Sequence, residues 1–204
     1  MLEGTEGCGK SSQSARLVTW LEALGKKVLA THEPGDTPLG AHLRGLLLDN
    51  HGPPISPHAE VFLFLADRAQ HLAEVILPAL EDGRWVVCDR FSMSTLAYQG
   101  FGRGLPLDLL LPMDEFARQG VSPHLTLLLD LPVEVGLARI GRLPLFTDRI
   151  ESRGLDFHKR VREGFLTLAR RDPNCVVIDA TQSEEQVCSA VRRAVDERLL
   201  KAER

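Results

Sequence analysis

Apolar positions along the chain switch between two rhythms. In residues 13–24, Leu17, Val18, Leu21 and Leu24 share one helical face, and Gly25 ends the run as a C′ glycine. Short, continuous apolar runs stand between such stretches, at 28–31, 85–88, 125–129 and 175–178. Runs of this kind predict strands buried on both faces. Further helices are predicted at 39–48, from Pro57 towards Glu81, at 107–119, from Pro132 to about Ile140, at 156–171 and from Ser183 onwards. Ser56 is placed as an N-cap ahead of Pro57, and Pro78 is expected to kink or interrupt its helix. Strands and helices alternate, which predicts an α/β fold of three layers: a central parallel sheet of about five strands covered by helices on both faces. No repeat, low-complexity tract or linker divides the chain, so residues 1–204 are read as a single domain.

In such sheets ligands bind beyond the C-terminal ends of the strands. Glu33, Asp89-Arg90 and Asp130 all follow apolar runs, and so are expected to gather at one edge. The strongest chemical signal joins them there. Gly4-Thr5-Glu6-Gly7-Cys8-Gly9-Lys10-Ser11 fits G-x-x-x-x-G-K-[ST] and leads into the first predicted helix with Ser12. The glycines let successive N–H groups point into one anion-sized nest, and the helix N-terminus reinforces it. Lys10 supplies a cation for the β- and γ-phosphates, and the Ser11 hydroxyl is placed to ligate Mg²⁺. A nucleoside triphosphate with Mg²⁺ is the expected ligand, bound by residues 4–12; the alternative is a glycine-rich turn with no ligand. Asp89 reads as a second metal ligand or as a helix N-cap. Cys8 is either just small enough for the turn or a thiolate favoured by the helix and Lys10. Only Met1, Leu2 and Glu3 precede the loop, where a strand of five or six residues is usual. The natural chain is therefore expected to start upstream with an apolar strand, or to have lost most of a central one.

Composition narrows the classes. With 44% hydrophobic and 25% charged residues the chain is an ordinary globular protein, and its net charge of −4 gives no basic surface for nucleic acid. No apolar run reaches the ~18 residues of a membrane span, and no signal-peptide pattern opens the chain. Four cysteines without C-x-x-C spacing read as reduced thiols in a cytoplasm, not a disulfide frame or zinc site.

Phe64, Arg68 and His71 recur at i, i+4 and i+7, an aromatic and a donor on one helix face. That suits a flat base with carbonyl acceptors; the alternative is a core Phe64 and a surface Arg68, with His71 a partly buried neighbour. Around these residues the sequence resembles the bacterial type of thymidylate kinase, a family of P-loop nucleoside monophosphate kinases. The likeness is carried in order by Thr31-His32-Glu33-Pro34-Gly35, Phe64-Leu65-Ala66-Asp67-Arg68-Ala69-Gln70-His71, Asp89-Arg90-Phe91-Ser92-Met93-Ser94, Ala97-Tyr98-Gln99-Gly100 and Asp148-Arg149-Ile150-Glu151.

The resemblance implies transfer of the γ-phosphoryl group of ATP to dTMP, giving dTDP and ADP, by a Mg²⁺-dependent homodimer with a mobile lid at about 141–154. It implies that Phe64 stacks on thymine, that Arg68 and Gln99 bond its polar edge, and that Ser94 lies beside it. Arg44 and Arg90 would hold the acceptor phosphate, with Glu33 and the acidic loop residue Glu6 nearby. Asp89 would join Ser11 at the metal, and Arg139 would lie over adenine with Asp179-Ala180-Thr181 at its edge. Lys10, Arg90, Glu33, Arg149 and Arg153 are the expected catalytic groups. No general base is assigned, because the acceptor is already a largely dianionic phosphate. Gly7 stands where one class of the family carries a loop arginine. The compensating charge is expected from Arg142, Arg149 and Arg153, unless these are solvated arginines pairing with Asp148 or Glu151. His32 replaces the family's usual arginine and Asp36 a glycine, and a negative Asp36 is unfavourable near an anionic substrate unless it faces solvent or assists a metal.

Three alternatives stay open: a kinase for another monophosphate or a deoxynucleoside, a GTP-dependent switch, and an inactive nucleotide-binding protein. The switch would need N-K-x-D, which the sequence lacks, although Asp49-Asn50-His51-Gly52 fits D-x-x-G.

Overall fold

A computed structural model describes residues 1–141, 149–150 and 153–201. Its strands are β1 (Leu2–Glu3), β2 (Val28–His32), β3 (Trp85–Asp89), β4 (Thr126–Asp130) and β5 (Cys175–Asp179). All pair in parallel, in the order β2-β3-β1-β4-β5. The apolar runs are strands because helices cover both faces. Leu127 and Leu129 join Leu17 and Leu21 of α1 (Lys10–Ala23) and Val187 and Val191 of α9 (Glu184–Val195). Leu128 points the other way, onto Val161 and Phe165 of α8 (Leu155–Ala169). Central β1 has two residues, and Leu2 pairs with both Asp89 and Leu127.

The remaining helices are α2 (Pro38–Leu48), α3 (Pro57–His71), α4 (Leu77–Glu81), α5 (Ser92–Thr95), α6 (Leu107–Ala117) and α7 (Val133–Ile140). The Ser56 side chain caps α3 by accepting from Ala59 N–H. The interruption expected of Pro78 is a π-helical turn, Leu72–Ile76, in which Leu77 N–H reaches back to Leu72 O. Pro78 has no N–H to continue the α pattern, and the widened turn precedes it.

One helical stretch has no counterpart in the sequence reading. After β3, α5 runs on as a π-helical segment, Leu96–Gly102. It is buried almost all round, so its sequence carries no polar face to mark a helical period. Glycines let it sit close to α8: a Cβ on Gly164 would lie 2.7 Å from the Phe101 ring. Residues 142–148 and 151–152, most of the expected lid with Arg142, Asp148 and Glu151, lie outside the described residues.

Candidate active site

The loop after β1 turns through positive φ at Gly4, Gly7 and Gly9. Gly9 is the left-handed N-cap of α1 and offers no side-chain cap, so the first N–H groups of the helix are available to an anion. Gly7 packs directly on α7: a Cβ there would stand 2.2 Å from Gly136 O, and one on Gly136 would stand 2.3 Å from Glu6 O. Lys10 Nζ donates to Gly4 O at 3.1 Å and to Thr5 O at 2.9 Å. Cys8 is buried, 3.5 Å from Lys10 Nζ. Ser12 is exposed on the first turn of α1.

At the end of β3, Asp89 Oδ2 accepts from Ser11 Oγ at 2.8 Å, and the buried Asp89 Oδ1 has no partner among the described residues. A hydroxyl and a carboxylate with a spare oxygen fit Mg²⁺, which takes one or two protein ligands and fills its octahedron with water and phosphate. The donor set does not suit a metal needing an all-protein cage, and among the described residues no group of three or more His, Cys, Asp or Glu could hold a metal ion.

A cavity of about 840 Å³ opens from this point, a volume suited to a nucleotide-sized ligand. It brings together Glu6, Gly7, Lys10, Ser11 and Asp89 with Glu33, Arg44, Phe64, Arg68, Arg90, Ser94 and Gln99. Beyond its lining, Arg139 donates to Gly7 O at 3.3 Å and to Ala180 O at 3.2 Å, spanning the loop and the turn after β5. Arg149 and Arg153 are not among the lining residues, although Ile150 is.

Arg68 is no surface charge; it is 2% exposed. Its guanidinium lies between Glu33 (Nε to Oε2, 3.0 Å) and Asp114 (Nη1 to Oδ1, 2.7 Å), and also donates to Thr95. His71, expected to be partly buried, is fully enclosed, with Nδ1 3.0 Å from Glu33 Oε1 and Nε2 2.5 Å from Thr31 Oγ1. Glu33 is thus held from two sides at the end of β2. Arg90 has a left-handed backbone, φ 69°, which aims its side chain back over the loop. Its Nη1 donates to Gly4 O, Ser94 Oγ and Tyr98 OH at 3.2–3.3 Å, and Nη2 lies 3.5 Å from Glu6 Oε1. Burial works against the Glu6 carboxylate, but His158, Arg90 and Lys10 outweigh it and hold its pKa down at about 2. Arg44 donates to Pro34 O at 2.7 Å. The two departures from the family pattern partner each other: Asp36 accepts from Thr31 Oγ1 and stands 3.8 Å from the His32 ring.

Several supporting charges escaped the sequence reading. Asp114 sits on the same buried stripe as Leu110 and Ala117, and a carboxylate at such a register position is the signal that was available. Glu60 and His158 are similarly buried. Asp67 accepts from Gly35 N–H at 3.0 Å. Burial, then the Glu33 charge, push its pKa up from 3.8 to about 6. A carboxyl raised in the folded state favours folding when protonated, a contribution present below 3.8 and lost as pH rises through about 6. Asp67→Asn keeps the Oδ1 acceptor without the charge. It should raise stability at pH 7.5 by about 1–2 kcal/mol, with the gain vanishing near pH 4; thermal melts across this range check it, and a pH-independent gain would count against it.

A phosphate-binding loop at the C-terminal edge of a parallel sheet, opening into one cavity that is also lined with arginines and an aromatic ring, defines a phosphotransferase acting between two small anionic substrates. Comparison with known proteins narrows this class. The thymidylate kinase family matches residues 2–191. A thymidylate kinase of Synechococcus sp. (strain JA-2-3B'a(2-13)) is 51% identical, covering 97% of this chain and 94% of that protein. One from Desulfovibrio desulfuricans is 48% identical, covering 95% and 93%. The crystal structure of thymidylate kinase from Ehrlichia chaffeensis superposes with a TM-score of 0.78 at 29% identity, covering 95% of this chain and 96% of that one. The chain belongs to the thymidylate kinase family.

Proposed function

We propose that this chain transfers the γ-phosphoryl group of ATP to dTMP, giving dTDP and ADP. The observation that carries the reading is one cavity lined both by Lys10, Ser11 and Asp89 and by Phe64, Arg68 and Gln99. Family membership supports it independently. The loop N–H groups and Lys10 hold the donor phosphates, while Arg139, between Gly7 O and Ala180 O, stands where a base on that nucleotide would reach. Ser11 and Asp89 would hold Mg²⁺, which when bound neutralises charge on the donor phosphates. Phe64 offers an aromatic face to thymine. Arg90 and Arg44 fix the acceptor phosphate, itself the nucleophile, so the site needs orientation and cations rather than a base. Residues 1–204 work as a single kinase domain, with a lid at about 141–154 that supplies Arg149 or Arg153 to the reaction.

ADP release with ATP, Mg²⁺ and a panel of acceptors tests the reading. dTMP should be preferred clearly over dUMP, CMP and thymidine; preference for thymidine would make the chain a nucleoside kinase, and no turnover with any acceptor would make it a binding protein.

Two further features belong to this reading. Four free thiols support a cytoplasmic setting; among the described residues no helix is long and apolar enough to cross a membrane. The neighbouring helices α2, α3 and α6 expose Leu39, Leu46, Phe62, Leu109 and Phe116, the last 87% exposed. A patch of that kind supports a homodimer formed on this face. Sedimentation should show a dimer, and Phe62→Glu with Phe116→Glu should give a folded monomer; an unchanged dimer would move the interface elsewhere.

A further inference from the structure

Gln99 lines the cavity but is 2% exposed, and its amide nitrogen lies 2.9 Å from Glu60 Oε1. Glu60, 3% exposed, is in the first turn of α3. It is gripped by Arg103, whose Nε donates to Oε1 at 3.1 Å and whose Nη2 donates to Oε2. Arg103 is always a cation, and its two-pronged contact engages both Glu60 oxygens as acceptors. The end of the amide facing it must therefore be the NH₂, and the carbonyl oxygen must face away. No hydrogen bond from a described residue reaches that oxygen.

From this geometry we infer that Glu60 is a positioning residue for base selection: it fixes the Gln99 amide in one of two nearly isosteric orientations, so that the cavity is shown an acceptor and not a donor. The inference rests on the reading that a pyrimidine occupies this part of the cavity. Thymine carries a proton on N3, which the Gln99 oxygen can accept. Cytosine carries a lone pair on N3, which that oxygen repels and which an inverted amide would welcome. An unanchored glutamine could serve either base; Glu60 removes the choice. Arg103 acts one step further out, neutralising Glu60.

The arrangement predicts a specific split between variants. In Arg103→Lys a cation still faces Glu60 beside Gln99, and the ratio of kcat/KM for dTMP to that for dCMP should stay within about threefold of wild type. In Glu60→Met/Arg103→Met the acceptor and its counter-ion leave together, so no buried charge is stranded. The ratio should then fall at least about tenfold, through a higher KM for dTMP and a lower one for dCMP, because the buried amide is free to turn. A merely structural role would lower thermal stability or kcat for both substrates and leave the ratio alone; that result in a folded double variant overturns the inference. If the double variant does not fold, the wild-type protein still decides. The Gln99 side-chain NH₂ protons, assigned by NMR through their loss in Gln99→Met, should keep their hydrogen-bonded shift when dTMP is added. A shift showing that NH₂ has turned to the base overturns it. A wild-type enzyme that uses dCMP as well as dTMP would instead defeat the underlying reading of the cavity.

Discussion

Arg90→Ala lowers kcat/KM for dTMP by about 10³-fold or more, on the scale of cations that stabilise phosphoryl transfer, and does so in a folded protein. The guanidinium stands between the phosphate loop and the acceptor cavity, bonded to Gly4 O, Ser94 and Tyr98, with Glu6 at 3.5 Å. Burial opposes its charge, but Tyr98, Glu6 and Asp89 more than offset that and raise its pKa. In the proposed reaction it is a fixed cation where two polyanions must meet. Its loss leaves the buried Glu6 carboxylate facing the incoming phosphate with one positive neighbour fewer. Backbone strain is separable from charge, because φ is 69°: Arg90→Gly relieves the strain that Arg90→Ala retains. Both variants should be equally slow, while Arg90→Gly melts higher. Steady-state kinetics and thermal melts test this, and an Arg90→Ala enzyme within about threefold of wild type would place the acceptor phosphate elsewhere.

Arg149→Ala is expected to cut kcat by about 10³-fold with little change in the affinity for ATP or dTMP. Arg149 is tied to the end of α2: Nε and Nη2 donate to Asp49 O at 2.9 and 2.5 Å, and its N–H donates to Leu48 O at 3.2 Å. Those bonds to a helix C-terminus are individually modest, so a triphosphate can compete for the guanidinium. Ile150, its neighbour, already lines the cavity. Arg153 is the second candidate: its buried Nε has no partner among the described residues, and burial, then Arg103, lower its pKa, the condition of a cation short of an anion. Single-turnover rates of Arg149→Ala, Arg153→Ala and the double variant, with affinities measured separately, decide between roles. If all three turn over within about threefold of wild type, Arg149 only latches the segment to α2.

Residues whose chemistry is local were readable in the sequence. The glycine turns of the phosphate loop, the Ser56 cap and the four apolar strand runs stand as expected because glycine torsions, cap hydrogen bonds and two-sided burial act over a few neighbouring residues. The helix 92–102 was not readable, since a segment buried on every side loses the periodicity that marks an amphipathic helix. The buried charges were hidden for a different reason. Glu60, Asp114 and His158 look like solvated polar residues until partners 43, 46 and 152 positions away are brought to them. Even for Arg68 the sequence offered a donor on a helix face and not the two carboxylates that immobilise it. Long-range pairing sets which donors remain for a ligand, and no local pattern records it.

The contact between Gly7 and Gly136 bears on how this chain can evolve. A side chain on Gly7 would need the volume of the Gly136 backbone, and one on Gly136 the volume of Glu6 O, so neither position can mutate alone without displacing the phosphate loop or α7. Two sites far apart in the gene are locked into one inherited unit, and α7 carries Arg139 within it. In the proposed donor site, selection for a different phosphate donor is therefore steered towards Arg139 and the turn at Ala180, where side chains can change without crossing that lock. The same barrier predicts which revertants arise: a lineage that acquires alanine at Gly136 should recover by moving α7, and not by a compensating change at Gly7, which already has no side chain to give up.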